Sequence, residues 1–423
     1  MKSDFGYGNS KYSLEIDSDK FISLGKMDEY FPLTDLELGE ALEHPINSPK
    51  LEEIISPDET VLIVVHDATR VSGSAHIINL LVRRLISSGV RAYNIAIIFA
   101  TGLHRKTTRK EKELLVTSFV AQRMKMLDHV ADDLASFIRV GRTSEGIAVE
   151  LNKAIVEYDR VITVGSVNFH YFAGFSGGRK LICPGLASKR TIAATHELAF
   201  DCKTKTRATR VESGILDGNP VNEAFMEATS FAPPDFAVNT FANKFGEVTH
   251  IFCGDWRESY QIACNEYARK YSLEIHEKRE FVIASCGGEP FDINLVQAHK
   301  ALENAAAACV PGGTIILFAK CADGLGSSNF LEWFESRDSA HLADRICEYY
   351  SVNGQTAWTF LKKVETFNVK LITELPEEIV TKLRCEKIEP KDILRNVHNK
   401  TGYAYHFASR FKAKMGDETP TFY

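Results

Sequence analysis

The first half of the chain alternates short apolar runs with segments of helical periodicity. Runs rich in Val, Ile and Leu at 61–67, 93–102 and 159–167 are typical of strands that are buried on both faces. The segments 75–89 and 109–120 place apolar residues three and four positions apart, which predicts helices. Strands and helices that alternate in this way predict a parallel sheet made of βαβ units.

The same alternation starts again in the second half. Strands are predicted at 279–288, 312–324 and 369–375, and an Ala-rich helix at 293–310. A helix within 254–279 would connect the two halves. The pattern therefore predicts an α/β protein with two Rossmann-like α/β domains, divided near residue 270.

Polar residues follow the predicted strands at the positions where ligands usually bind. In open α/β sheets, ligands bind beyond the carboxyl ends of the strands. Two such edges that face each other would form a cleft for a small molecule. The strand-exit segments are HDATRVSG, ATGLHRKT, GSVNFHYF, SCGGEPFD and AKCADGLG.

Charge and hydropathy exclude several classes of protein. The 50 Lys and Arg residues are outnumbered by 56 Asp and Glu residues, which argues against a nucleic-acid binder. No apolar run approaches the ~18–20 residues of a membrane span, and the first residues lack the apolar region of a signal peptide. We therefore expect a soluble cytoplasmic protein with no membrane or nucleic-acid partner.

The cysteines do not form a recognisable framework. All nine lie from Cys183 onward, and no C-x-x-C pair is present. This pattern predicts neither a disulfide framework nor a thiolate zinc site, and it favours a reducing compartment.

The segment HDATR supplies a candidate anion-binding residue. Arg70 follows a strand, and a guanidinium can bind a carboxylate through two parallel hydrogen bonds. Asp67 and Thr69 precede it. The alternative is a surface ion pair between Asp67 and Arg70 with a threonine cap.

Two histidines follow comparable strands. His104 lies in ATGLHR and His170 begins HYFAGFSGGRK. Two imidazoles on opposite sides of one carbon could each accept or donate a proton near neutral pH, which an enzyme that inverts a stereocentre requires. A structural role for each histidine is the alternative.

The segment FSGGRK combines a flexible turn with a lysine. The backbone of Ser176, Gly177 and Gly178 could bind a phosphate, although the segment is not a Walker A loop. Lys180 is a candidate nucleophile or phosphate partner, or an exposed turn lysine. His196, further along, could supply one metal ligand, but the remaining ligands would have to come from elsewhere.

One helix of the second half carries two further candidates. Gln297 and Lys300 are three positions apart and share a helical face, so they could bind one polar group of a substrate. A solvated helix face is the alternative reading.

Taken together, these segments resemble the nickel-pincer-nucleotide lactate racemase family. The resemblance rests on HDATR, ATGLHR, HYFAGFSGGRKLICPG and ATHELAF in this order, and the H-x-F-A-G-F-S-G-G-R-K block is highly specific. It implies two α/β domains with a cofactor and substrate cleft between them. Residues 1–270 would carry the cofactor lysine and the catalytic histidines, and 271–423 would contribute substrate contacts.

The resemblance also implies a cofactor and a set of roles. The cofactor is a nickel complex of pyridinium-3,5-bisthiocarboxylic acid mononucleotide, made by dedicated biosynthesis proteins that the chain would contact transiently. The implied roles are covalent attachment at Lys180, nickel ligation by His196, acid/base catalysis by His104 and His170, nucleotide contacts by Asp67, Thr69, Ser176, Gly177 and Gly178, and substrate contacts by Arg70, Gln297 and Lys300.

The implied reaction is racemisation or epimerisation of a small 2-hydroxy acid at C2. Hydride leaves C2 for the cofactor while one histidine removes the hydroxyl proton, which leaves a planar 2-keto acid. Hydride then returns to the other face while the second histidine donates a proton to the oxygen. Members that act on lactate are expected to carry Tyr before the Gln, where this chain has Val296. The resemblance therefore predicts the reaction type without selecting lactate.

Two other interpretations remain open from the residues alone. Lys180 could form a Schiff base with pyridoxal phosphate, with the glycines at its phosphate. Alternatively, the chain could be a non-catalytic nucleotide-binding paralogue, although such a protein would not require two acid/base histidines.

Overall fold

A computed structural model describes residues 2–27, 31–70, 72–243, 245–397 and 399–416. The chain divides into two compact units. Unit A comprises Glu29–Ala199 and Thr209–Tyr267, and unit B comprises Met1–Asp28, Phe200–Ala208 and Ala268–Tyr423. The chain therefore enters unit B for the last time at Ala268, close to the predicted division near residue 270, but the N-terminal segment and a short central segment also belong to unit B.

Strands make up much of both units. Among the described residues they are β1 (Lys2–Tyr7), β2 (Ser10–Glu15), β3 (Phe21–Leu24), β4 (Val61–His66), β5 (Ile95–Ala100), β6 (Lys125–Asp128), β7 (Phe137–Arg142), β8 (Ala148–Asn152), β9 (Arg160–Ser166), β10 (Phe169–His170), β11 (Gly174–Phe175), β12 (Phe200–Asp201), β13 (Thr206–Arg207), β14 (Phe236–Ala242), β15 (Val248–Gly254), β16 (Ser272–Ile275), β17 (Arg279–Ser285), β18 (Cys309–Phe318), β19 (Asn368–Ile372), β20 (Glu386–Lys387), β21 (Gly402–Tyr405) and β22 (Lys412–Met415).

Helices connect the strands. In the same part of the chain they are α1 (Asp35–Glu43), α2 (Leu51–Ile54), α3 (Ser74–Ser87), α4 (Arg109–Val116), α5 (Ser118–Ala121), α6 (Ala154–Glu157), α7 (Lys189–Glu197), α8 (Pro220–Ser230), α9 (Glu258–Tyr271), α10 (Leu295–Ala307), α11 (Ser339–Glu348), α12 (Val352–Thr366), α13 (Glu377–Lys382) and α14 (Ile393–Asn396).

The central sheet of unit A has the strand order β15-β14-β9-β4-β5-β6. Every pair in it is parallel except β14 with the edge strand β15. The strands β9, β4 and β5 are therefore neighbours, and their carboxyl ends meet at one edge of the sheet.

The central sheet of unit B is wholly parallel, with the order β20-β19-β18-β17-β21-β3. The antiparallel hairpin β1–β2 packs over it, because Ser285 Oγ donates to the Gly6 carbonyl and Phe5 stacks on Phe318. The α/β class and the two-part organisation predicted from the sequence are thus confirmed.

The hydrophobic pattern accounts for these elements. Every residue of β4 is buried, as expected for a parallel strand that is covered on both faces. In α3, Ile77, Ile78, Leu81, Val82 and Leu85 are buried and form one helical face against the sheet.

One predicted helix is interrupted. The segment 109–120 forms α4 and α5, which are separated by Thr117 with a φ of 74°. The Thr117 hydroxyl accepts a hydrogen bond from the Val120 amide and so caps α5. The apolar spacing continues through this break, which is why the sequence pattern alone predicts a single helix.

One cysteine pair contradicts the expectation from the cysteine pattern. Cys202, on the turn after β12, and Cys347, in α11, form a disulfide across 145 residues, with Cα atoms 5.6 Å apart. Such a pair depends on proximity in the fold, which sequence spacing does not reveal. Seven cysteines are free, and no helix among the described residues is long and apolar enough to cross a membrane.

Buried histidines make the stability of the fold depend on pH. Burial lowers the pKa of His129 in unit A and of His299 in unit B from 6.5 to about 4. Between these values the unfolded chain binds protons that the folded chain does not, so acid favours unfolding. Below about pH 6.5 we expect each of these two histidines to lower the free energy of unfolding by about 1.4 kcal/mol per pH unit, a contribution that levels off near pH 4.

Urea unfolding at about pH 7.5 and about pH 5 measures this loss. Because carboxylates also titrate in acid, the control is His129→Gln, whose side chain has no ionisable group. The free energy of unfolding of this variant should fall less between the two pH values than that of the unsubstituted protein, and the difference should equal the contribution of one histidine. Equal losses in the two proteins would contradict the prediction.

Candidate active site

Three predicted strand-exit segments of unit A lie at one edge of its sheet. His66 ends β4, Ala100 ends β5 and Ser166 ends β9, and these three strands are parallel neighbours. The loop after β5 is also tied to the lysine segment, because the Gly102 amide donates to the Gly185 carbonyl. The structure therefore brings His104, Asp67, Arg70 and the segment 166–185 to the same edge.

Asp67 and His104 form a close pair at this edge. His104 Nδ1 lies 2.6 Å from Asp67 Oδ2, and the Thr69 hydroxyl donates to Asp67 Oδ1 at 2.7 Å. The Asp67 side chain is only 8% exposed, whereas that of His104 is 42% exposed. The His104 ring is thus held on one side by a buried acid and is open to a ligand on the other.

The charges around Asp67 keep it ionised. Burial alone would raise the pKa of the Asp67 carboxyl, but His104 and Arg70, together with the hydrogen bonds from His104 and Thr69, outweigh burial and lower it below its usual value. At neutral pH the carboxylate accepts the proton on His104 Nδ1 in a hydrogen bond, and the lone pair of a neutral His104 is therefore on Nε2.

The lysine segment is built around a tight turn. The strands β10 and β11 form a short hairpin, and a 3₁₀-helix follows at Gly178–Leu181. Gly177 and Gly178 have φ values of 73° and 49°, and a Cβ on Gly178 would lie 2.3 Å from Tyr260 Cδ2. Both positions therefore require glycine.

Three of the predicted functional side chains surround one aromatic ring. The ring of His170, the Nζ of Lys180 and the ring of His196 lie 4.5, 5.2 and 5.1 Å from the centroid of Phe172. The centroid of the Phe225 ring also lies near two of them, 5.5 Å from Lys180 Nζ and 5.4 Å from the His196 ring. The amine is thus held against aromatic faces close to both histidines.

His196 has the properties of a single metal ligand. It is buried, and burial together with the Lys180 cation lowers its pKa to about 3, which keeps the imidazole in the neutral form that binds metals. Within the described ranges no group of three or more His, Cys, Asp or Glu could hold a metal ion.

Ser176 is engaged in the local backbone network. Its hydroxyl donates to the Ser166 carbonyl at 3.1 Å and accepts from the Asn168 amide at 3.0 Å. These bonds connect the end of β9 to the turn before Lys180 and so fix the position of that turn at the sheet edge.

Arg179 has a structural role that the sequence motifs do not indicate. It is 1% exposed, and its guanidinium donates to the carbonyls of Phe175 (2.9 Å) and Ala173 (2.7 Å) and contacts Tyr260. This buried side chain therefore holds the turn between His170 and Lys180 in shape. Its position next to Lys180 is the only signal in the sequence, and it does not distinguish a buried arginine from an exposed one.

Gln297 and Lys300 belong to unit B. Both lie in α10, and Lys300 Nζ donates to Gln297 Oε1 at 2.7 Å, as their spacing on one helical face predicts. The next residue before Gln297 is Val296, which is partly buried.

Comparisons with known proteins agree on one family. The protein-family model of the lactate racemase N-terminal domain matches residues 7–208, and that of the lactate racemase C-terminal domain matches residues 275–399. The lactate racemase of Thermoanaerobacterium thermosaccharolyticum is 30% identical over 345 residues, which cover 80% of this chain and 79% of that protein. The lactate racemase of Lactiplantibacillus plantarum is 33% identical over 290 residues, with coverage of 69% and 67%.

Solved structures agree with these matches. The lactate racemase apoprotein from Thermoanaerobacterium thermosaccharolyticum superposes with a TM-score of 0.87 at 25% identity and covers 98% of this chain and 100% of that one. A protein from Thermotoga maritima has a TM-score of 0.72 at 19% identity, with coverage of 91% and 99%, and shares the fold.

Proposed function

The chain belongs to the lactate racemase family, and from this premise we propose that it inverts C2 of a 2-hydroxy acid by removal and return of hydride. One observation carries the proposal most directly. Lys180, His170 and His196 all lie close to the Phe172 ring, and the segment that carries His170 and Lys180 lies at the same sheet edge as the Asp67–His104 pair.

Lys180 and His196 are the residues that we propose to hold the cofactor. Lys180 would attach the nucleotide through a thioamide, and His196 would ligate nickel. A buried neutral imidazole can supply one ligand to a metal whose other donors belong to the nucleotide. When bound, the nickel-pincer nucleotide supplies the hydride acceptor. Thr69, Asp67 and the turn Ser176–Gly177–Gly178 remain the predicted nucleotide contacts.

His104 is suited to accept the hydroxyl proton of the substrate. Its Nδ1 proton is directed at the buried Asp67 carboxylate, so Nε2 is the basic atom. Asp67 also stabilises the imidazolium that forms when Nε2 is protonated. We therefore add an orienting role for Asp67 to its predicted nucleotide contact.

His170 is suited to the complementary step. The Ala173 amide donates to His170 Nδ1 at 3.4 Å, which assigns the proton of a neutral ring to Nε2. One histidine thus begins as an acceptor and the other as a donor, and after one turnover the two are ready for the reverse direction. Racemisation requires this exchange, because each enantiomer must be deprotonated from its own side.

The remaining proposed contacts are with the substrate. We propose that Arg70 holds the carboxylate through two hydrogen bonds while C2 becomes planar, and that Gln297 and Lys300 contact the substrate as a pair. Removal of the C2 hydrogen as hydride avoids a carbanion next to a carboxylate, which is why the reaction needs an acceptor of electrons rather than a strong base.

The substrate class is a 2-hydroxy acid that includes lactate and larger acids. The relatives are named lactate racemases, whereas Val296 occupies the position where a lactate-specific aromatic residue is expected. A branched aliphatic side chain leaves more room than Tyr, so sugar acids epimerised at C2 belong to the class. The enzyme is proposed to act in the cytoplasm, where biosynthesis proteins supply its cofactor.

The test is a screen of the cofactor-loaded enzyme against both enantiomers of a panel of 2-hydroxy acids in D₂O, followed by chiral chromatography and mass spectrometry. We expect interconversion of at least one acid without deuterium at C2, because hydride does not exchange with solvent. Deuterium at C2 would indicate proton abstraction and contradict the hydride mechanism. No interconversion of any acid would contradict the proposed activity.

A further inference from the structure

His66 lies at the same sheet edge and has no role in the proposed reaction. It ends β4, directly before Asp67, and it is 7% exposed. The Ser166 backbone amide donates a hydrogen bond to His66 Nε2 and so joins the ends of β4 and β9. A buried histidine with one nitrogen engaged raises the question of what its other nitrogen binds.

The Ser166 contact determines where the His66 proton is. A backbone N–H can only donate, so Nε2 must be unprotonated and a neutral ring carries its proton on Nδ1. Nδ1 makes no hydrogen bond with any residue in the described part of the chain, and it is not among the buried polar atoms that are sealed from contact. His66 therefore presents an N–H donor to the space at the sheet edge.

The surroundings hold the ring in this orientation. A Cβ on Gly165 would lie 3.0 Å from His66 Nε2, so the absence of a side chain there makes room for the imidazole. Rotating the ring by half a turn would replace Nε2 with a carbon and lose the Ser166 bond. Burial and the nearby Arg70 cation lower the pKa of His66 to about 3, although Asp67 opposes them, and so the ring is a neutral donor at physiological pH.

We propose that His66 Nδ1 donates a hydrogen bond to the oxyanion that Arg70 binds, which makes His66 a ligand-binding residue. This inference rests on the proposed function, in which Arg70 holds the substrate carboxylate. Arg70 is close enough to His66 to act on its protonation, and both residues belong to the same strand exit. A carboxylate has more acceptor sites than one guanidinium fills, and an uncharged donor adds a bond without excess positive charge.

Two substitutions separate the two nitrogens of His66. In His66→Gln, the side-chain oxygen can replace Nε2 as the acceptor for Ser166, while the donor at the Nδ1 position is lost. In His66→Asn, the side-chain amide can replace the Nδ1 donor, while the bond to Ser166 is lost. Each variant therefore serves as the matched control for the other.

The probe is 2-hydroxy-2-methylpropanoate, which has no hydrogen at C2 and cannot react. Its binding to the cofactor-loaded protein is measured by calorimetry, and covalent nucleotide content is measured by intact mass. We expect His66→Gln to keep the thermal midpoint near that of the unsubstituted protein and to weaken binding about tenfold to a hundredfold, as for loss of a hydrogen bond to a charged group. His66→Asn should lower the thermal midpoint and bind within about threefold of the unsubstituted protein.

The outcomes distinguish the source of the oxyanion. If His66→Gln binds the probe normally but carries less nucleotide, the oxyanion is the cofactor phosphate. If both its probe binding and its nucleotide content are normal, the inference is wrong. A folded His66→Asn that binds as weakly as Arg70→Lys would also overturn it. The probe requires no turnover, so these results stand even if the screen finds no racemisation.

Discussion

Lys180→Ala is expected to yield a protein without covalent nucleotide and without racemase activity. Lys180 Nζ lies over the rings of Phe172 and Phe225, so it is the amine that the site presents to a ligand near His196. Without it, the proposed thioamide has no nitrogen to form on. The intact mass of protein produced together with the cofactor-biosynthesis proteins should equal that of the polypeptide alone, and racemisation should fall to the level of a reaction without enzyme.

Two variants separate attachment from charge and from expression. Lys180→Arg keeps a cation against the two aromatic rings, but a guanidinium does not lose its proton near neutral pH and should also fail to attach nucleotide. Lys189→Ala removes an exposed lysine at the start of α7 and should load and turn over normally. A nucleotide adduct on Lys180→Ala would contradict the attachment site.

Borohydride treatment of the unsubstituted protein tests the pyridoxal phosphate interpretation. A Schiff base at Lys180 would be reduced by borohydride to a stable pyridoxyl adduct on the peptide that contains this residue, with loss of the cofactor absorbance. A thioamide would give no such adduct. Nickel content in proportion to the nucleotide would support the proposed cofactor independently of activity.

Much of the site edge could be predicted from local sequence. The strands β4, β5 and β9 are short runs of branched apolar residues, and a strand buried on both faces can hardly have another composition. Once these strands are recognised as parallel neighbours, the rule that strand ends share an edge brings HDATR, ATGLHR and GSVNFH together. The motifs therefore carried most of the information about unit A.

The N-terminal strands of unit B could not be predicted in this way. β3 comprises only Phe21–Leu24, and it pairs with β21 at Gly402–Tyr405, almost the length of the chain away. Short runs of this kind occur throughout the sequence, and nothing local selects the partner strand. Pairing over such a distance is decided by tertiary packing, as is the disulfide between Cys202 and Cys347.

The aromatic and cationic residues that support the lysine turn could not be predicted from the sequence motifs either. Phe172 contacts three functional side chains, and Arg179 bonds the carbonyls on either side of Gly174. In sequence, a phenylalanine is most often a core residue and an arginine a surface residue. Only the three-dimensional contacts distinguish these two from other residues of their types.

His104→Ala and His170→Ala are each expected to abolish interconversion of the enantiomers. Each variant lacks the acid or base for one side of the substrate, and racemisation in either direction uses both. Loss of one acid/base group corresponds to about 10²–10⁴-fold in kcat. Covalent nucleotide and nickel should stay near the level of the unsubstituted protein, because His104 and His170 are neither the proposed attachment residue nor the proposed metal ligand.

Asp67→Asn tests whether His104 depends on the Asp67 carboxylate. The amide is nearly the same size and its oxygen can still accept from Thr69, which leaves the amide NH₂ group facing His104 Nδ1. This arrangement places the proton of a neutral His104 on Nε2, so kcat is expected to fall by up to about 10⁴-fold, as for the asparagine variant of a catalytic-triad aspartate. Since His104, Arg70 and the hydrogen bond from Thr69 outweigh burial and lower the pKa of Asp67, activity that depends on its charge should persist in mild acid. An active His104→Ala or His170→Ala enzyme would overturn the two-histidine assignment, and an unchanged Asp67→Asn enzyme would remove the orienting role.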